Sequence, residues 1–271
     1  MKTRIIAAVV LIPALLLIIL VAPKWVAAII YGLLLAVSAY ELLFRTNLVH
    51  HPRMVIYSCV MAAAVVAWSF FDAVHAYAVL GILVFVIILF TEMMVDHVKV
   101  NFETVCLCIV AGLLVPYLLS SLIRILTMKI GKYMVLVPFI VAFASDAGAY
   151  FAGRFYGKHK LAPVVSPNKT IEGAVGGVLS ATLCMLIYAA ILHLGFRFHV
   201  NYGLAALYGV AGSAVGVIGD LCFSAIKRQT GIKDYGNLIP GHGGFLDRFD
   251  SVMTVGPLME ALLLLIPFAV G

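Results

Sequence analysis

The stretch YGLAALYGVAGSAVGVIGDLCFSAI, residues 202–226, decides the fold. It is apolar for long enough to cross a bilayer, which takes about 20 residues at roughly 1.5 Å rise each. Its glycines, Gly209, Gly212, Gly216 and Gly219, recur every three or four positions and so share one helix face. Small residues on such a face let a second helix approach closely. Asp220 continues that face, and Ser224, Lys227 and Arg228 follow at helical spacing as one polar stripe. A carboxylate within hydrocarbon costs about 3 kcal/mol or more unless it faces a cavity, a cation or a partner. The run predicts a transmembrane helix that carries a polar site, with a structural ion pair to a neighbouring helix as the plainer explanation.

Eight further apolar runs lie around it, at about 5–22, 25–44, 54–71, 74–94, 105–126, 133–153, 171–195 and 251–270. The composition agrees: 64% of the 271 residues are hydrophobic and 11% charged. Soluble domains carry about 25% charged and 45–50% apolar residues. A cytosolic enzyme, a disordered chain and a free nucleic-acid-binding domain are thereby excluded. The expected fold is all-α, a polytopic integral membrane protein with about nine transmembrane helices. The first run, behind Lys2 and Arg4, is read as an uncleaved helix, because more runs follow and no A-x-A site ends it.

The net charge of +6 comes from 18 Lys and Arg, against 12 Asp and Glu. With the N-terminus in the cytoplasm, that side holds Lys2, Arg4, Arg45, Arg53, Lys99, Arg154, Lys158, Lys160, Lys169, Lys227, Arg228, Lys233 and Arg248. The far side holds only Lys24, Arg124, Lys129, Lys132 and Arg197. The positive-inside rule therefore selects a cytoplasmic N-terminus, and the basic residues are topology determinants with no nucleic-acid partner. Five cysteines, Cys59, Cys106, Cys108, Cys184 and Cys222, all sit in apolar stretches and suggest neither zinc nor disulfides. Residues 1–100 read as scaffold helices. Residues 101–271 read as the catalytic region, with cytoplasmic loops at 154–170 and 227–250, the side where nucleotides are.

Two loop signals accompany Asp220. In 241–250, GHGGFLDRFD, glycines let backbone N–H groups close on phosphate oxygens, and a following helix start adds positive dipole. Asp247 and Asp250 are three apart, so one helix could present both. Carboxylates beside a phosphate cradle suit Mg²⁺, which takes one or two carboxylates plus phosphate oxygens. The third signal places Asp146, Tyr150 and Arg154 on one helix face, followed by Ser166-Pro167-Asn168-Lys169-Thr170. Lys169, beside a helix start, can reach a phosphate as a point charge. An ordinary glycine turn, a capping Asp and a topology-setting lysine are the plainer alternatives. Gly153 to Lys158 fails as a P-loop, with one residue too few and no Ser or Thr after the lysine. Together the signals suggest a water-soluble nucleotide and a lipid sharing one Mg²⁺ site.

These residues resemble a known family. Ser224-Ala225-Ile226-Lys227-Arg228, Lys233-Asp234 and His242-Gly243-Gly244-Phe245-Leu246-Asp247-Arg248-Phe249-Asp250 match the signature of phosphatidate cytidylyltransferases (CDP-diacylglycerol synthases) over residues 224–250. Asp146, Ala149-Tyr150-Phe151, Gly153-Arg154, Lys158 and Ser166 to Gly173 are similar to a second block of that family. One departure is Phe223, where many members carry Glu. The resemblance implies transfer of CMP from CTP to phosphatidate with Mg²⁺, giving CDP-diacylglycerol and pyrophosphate. It also implies a K⁺ ion at the site and a homodimer. The expected metal ligands are Asp220 and Asp247, then Asp250 and Asp146. Lys169, Lys227, Arg228 and Arg248 would hold phosphates, aided by His242 and the amides of Gly243 and Gly244, while Ser224 and Asn168 would hydrogen-bond substrate. The glycine face of the 202–226 helix would line the cavity. A CTP-dependent lipid kinase and a transporter of an anionic metabolite remain the rival readings. The length and lack of a transit peptide favour a bacterial plasma membrane.

Overall fold

The structure, a computed structural model, describes residues 18–238 and 243–271. Lys2, Arg4, His242 and most of the expected first span lie outside the described residues. In hydrocarbon a chain must satisfy its own backbone polar groups, and a helix does so within a single segment. Among the described residues, seven helices are long and apolar enough to cross a bilayer, which makes this a multi-pass membrane protein. They are α1 (Lys24–Arg45), α2 (Pro52–Phe70), α3 (Ala78–Val95), α4 (Phe102–Thr127), α5 (Gly131–Tyr156), α6 (Ile171–Phe196) and α7 (Tyr202–Gln229). A single turn, α8 (Leu246–Phe249), and a shorter helix, α9 (Val252–Leu265), follow them.

The apolar run at 251–270 is helical over Val252–Leu265. The 14 residues of α9 rise about 21 Å, short of the roughly 30 Å hydrocarbon core. Pro267 stops it, because a residue before proline is pushed out of the α region; Ile266 sits at φ −140°, ψ 64°. The chain then forms β4 (Ala269–Val270), which pairs antiparallel with β3 (His199–Val200). The loop expected at 154–170 contains an antiparallel hairpin, β1 (Lys160–Ala162) with β2 (Ser166–Thr170).

Packing divides the chain into two compact units. One runs up to Thr127 and regains Gln229–Phe249; the other comprises Met128–Arg228 and Asp250–Gly271. The functional division expected near residue 100 is a different partition and stays a proposal. In the first unit, the Tyr31 hydroxyl donates to the Leu119 carbonyl at 3.0 Å. Arg124 donates to Ser120 Oγ at 2.6 Å and lies over the Tyr117 ring at 4.6 Å, which gives a charge among apolar helices its partners.

In the second unit, α5 and α6 lie against each other. A Cβ on Gly176 would run into Ala152 Cβ, and one on Gly148 would meet the Gly176 carbonyl at 2.7 Å. Ser145 and Ser213 hydroxyls share a buried 2.7 Å hydrogen bond between α5 and α7. The glycine face of α7 is fully packed: Gly209 meets the Thr182 backbone, Gly212 meets Val141 and Met259, and Gly219 meets the Asp250 carbonyl and Thr254. These glycines thus lie against neighbouring chain, and the cavity described below is lined from α7 by Val217 and Asp220.

Gly176→Leu should force α5 from α6 and cost about 1–3 kcal/mol, lowering the thermal midpoint in detergent by several degrees. Gly195→Ala, whose Cβ meets nothing within 4 Å, should leave the midpoint unchanged or slightly raised. Unfolding scans of both variants check this.

Candidate active site

The site is assembled at the start of α6. Thr170 Oγ1 accepts the Gly173 amide at 3.0 Å and caps the helix. Glu172 accepts the backbone amides of Lys158 and His159 at 3.1 and 3.2 Å and meets His159 Nδ1 at 2.6 Å, fastening the hairpin to the helix. Lys169, the residue before the cap, is thereby aimed into a cavity of about 260 Å³ that Ser145, Asp146, Tyr150, Asn168, Val217 and Asp220 also line. The cavity is near the lower edge of small-molecule sites. Its volume has room for a phosphate group rather than for a whole nucleotide.

Lys169 Nζ stands 2.5 Å from Asp220 Oδ2, and Ser224 Oγ donates to Asp220 Oδ1 at 3.1 Å. Among the described residues, the ammonium is sealed from water and makes no hydrogen bond beyond this ion pair. It has three N–H groups to give, so burial leaves donors for an incoming acceptor. Asp220 and Val217 lie on the helix face beside the glycines, which is how the same helix both packs and opens.

Asp250 enters the same unit from the chain before α9. Burial, then the charges of Asp220 and Asp146, push its carboxyl up from 3.8 to about 7, against the pull of the Ser251 amide and Lys227. Like charges gathered out of water favour a cation. Among the described residues no three His, Cys, Asp or Glu side chains form a ready metal cage. Mg²⁺ needs no such cage, since it is held by one or two carboxylates with substrate phosphates, so the donor set fits that ion. Arg228 donates through Nε to the Val165 carbonyl at 3.3 Å, next to the hairpin. Arg154 donates to the Tyr150 hydroxyl at 2.8 Å.

The glycine-rich stretch belongs to the other unit. Gly243 has φ +87°, a conformation that excludes most side chains. The Gly244 amide, expected to hold phosphate, donates to Asp247 Oδ2 at 2.9 Å, and the Tyr235 amide donates to the same oxygen at 2.8 Å. The next two amides, of Phe245 and Leu246, donate to Glu41, each at 3.0 Å. The helix start expected here is the single turn α8, and Asp250 lies beyond it. Arg248 is exposed. Glu41 was missed by sequence reasoning, although the cost applied to Asp220 applies equally to a carboxylate at the end of an apolar run.

The family profile described as "Cytidylyltransferase family" matches residues 2–266. The chain belongs to the cytidylyltransferase family. Among curated relatives, proteins named phosphatidate cytidylyltransferase from Staphylococcus haemolyticus, Staphylococcus epidermidis and Staphylococcus aureus are 47%, 46% and 44% identical to it over 134 residues. That is 49% of this chain and 50% of each relative. The chain thus spans about half the length of the curated relatives it matches.

A folded-state carboxyl raised from 3.8 to about 7 favours the fold fully below the lower value and loses that contribution as pH rises through the upper one. In chelator-treated buffer, Asp250→Asn should therefore melt above wild type at about pH 8, with the gap closing towards about pH 4. Parallel melts across that range check the sign.

Proposed function

We propose that the protein transfers CMP from CTP to phosphatidate, releasing pyrophosphate and leaving CDP-diacylglycerol in the bilayer. The observation that carries the reading is Lys169: a buried ammonium on a phosphate-sized cavity, paired to an intramembrane carboxylate, inside a sequence block similar to that family. The family membership and the names of the relatives support the same activity.

A phosphate monoester has a second pKa near 6, so phosphatidate is largely dianionic at neutral pH and needs no strong base to attack. The nucleophile is the lipid phosphate oxygen, the bond broken joins the α-phosphorus to the bridging oxygen, and pyrophosphate leaves with that electron pair. What the protein must supply is alignment and charge neutralisation. Lys169 meets a phosphate oxygen with its remaining N–H groups, and Lys227 and Arg228 add positive charge along α7. Ser224 keeps Asp220 oriented, and Asn168 offers an amide at the cavity wall.

Asp220, with Asp250 and Asp146 in the same unit, would hold Mg²⁺. When bound, that ion neutralises the polyphosphate and stabilises the leaving group. The signature motif alone keeps Asp247 among the proposed metal ligands, and it alone keeps His242, Gly243, Gly244 and Arg248 as nucleotide contacts. A K⁺ ion, a homodimer, a plasma-membrane location and a site facing the cytoplasm belong to the same proposal.

Purified protein given CTP labelled on the α-phosphate, phosphatidate and Mg²⁺ should place label in a lipid and release pyrophosphate. Asp220→Asn and Lys169→Met should each lower that rate by about a hundredfold or more while remaining folded. CDP as co-product would indicate a lipid kinase instead. Binding of CTP without any labelled lipid would favour a transporter.

A further inference from the structure

We infer that Glu41 is a positioning residue: from the end of α1 it fixes the backbone of Gly243–Phe249, and this hold sets the affinity for the nucleotide. The nucleotide part rests on the function proposed above.

Glu41 begins the wider, π-type turn Glu41–Arg45 that closes α1, and it is 2% exposed. Each carboxylate oxygen accepts one amide from a distant segment: Oε1 takes Phe245 N and Oε2 takes Leu246 N, both at 3.0 Å. Its two flanks are glycines. A Cβ on Gly236 would stand 2.5 Å from Oε1, and one on Gly244 would overlap the carboxylate. These glycines leave the space that the carboxylate fills. A second grip comes from the same helix, where the Tyr31 ring packs 6.5 Å from Phe245 and 6.4 Å from Phe249.

The consequence is continuous. The Gly244 amide ends on Asp247, and the two amides after it end on Glu41. The Gly244 amide that the sequence offers to a phosphate, and the two amides after it, thus serve to hold the segment itself. Asp247 and Arg248 then leave the backbone from a conformation that Glu41 fixes. Both oxygens of Glu41 act as acceptors, so an isosteric glutamine cannot replace it: its NH₂ would face an N–H donor. An unsatisfied buried amide is expensive, and the segment would shift to relieve it.

Two measurements test this. In steady-state assays of the purified protein, Glu41→Gln should raise the KM for CTP about tenfold or more. The KM for phosphatidate should stay as in wild type, and the thermal midpoint should fall by no more than a few degrees. Gly236→Ala, which crowds Oε1, should move the same constant in the same direction. A KM for CTP within about twofold of wild type in both variants overturns the inference, as does an equal rise for both substrates. Hydrogen exchange needs no turnover and tests the anchor even if wild type transfers no CMP, an outcome that would defeat the proposed activity instead. The amides of Phe245 and Leu246 should be protected in wild type and exchange faster in Glu41→Gln. Unprotected wild-type amides overturn it. If the glutamine variant cannot be purified, wild-type exchange and Gly236→Ala decide between the same two outcomes.

Discussion

Any polar group carried into an apolar slab must be satisfied by the chain itself, and this constraint organises both units. It accounts for the helices, whose backbone bonds close within one segment. It also accounts for the few charged groups at depth. Arg124 finds serine hydroxyls, a carbonyl and a tyrosine ring. Asp220 finds Lys169 and Ser224, and Glu41 finds two backbone amides. Each solution draws on residues remote in sequence, so satisfying a charge also ties elements together.

Two carboxylates illustrate how different solutions lead to different roles. Asp220 is paired with a flexible ammonium beside a cavity. That partnership can be exchanged for another anion, because the lysine head can swing and still has donors to offer. Glu41 is enclosed by glycines and bound to fixed backbone donors. Nothing there can move without leaving an amide unpaired. The first arrangement suits chemistry and the second suits anchoring.

Glycine has three distinct uses among the described residues. On α5, α6 and α7 it permits helix backbones to approach, and those faces are filled. At Gly236 and Gly244 it makes room for a side chain, and at Gly243 it permits a positive φ. A glycine-rich stretch in a sequence suggests a space for ligand. Here much of that space is taken by the protein's own carboxylates.

The sequence by itself determined the class of fold, seven of the spans and the proximity of Lys169 to a helix start. Those follow from local causes: run length, hydropathy, and a Thr170 cap directly after the lysine. It also singled out Asp220, since a carboxylate in an apolar run is conspicuous without any neighbour being known. Tertiary structure alone decided which face of α7 packs and which opens, because that depends on the helices laid against it. It alone showed that Asp250 shares its charge environment with Asp220 and Asp146. It alone matched Glu41 to amides more than 200 residues away. Periodicity reports what a segment needs; only the folded chain supplies the partner that meets the need.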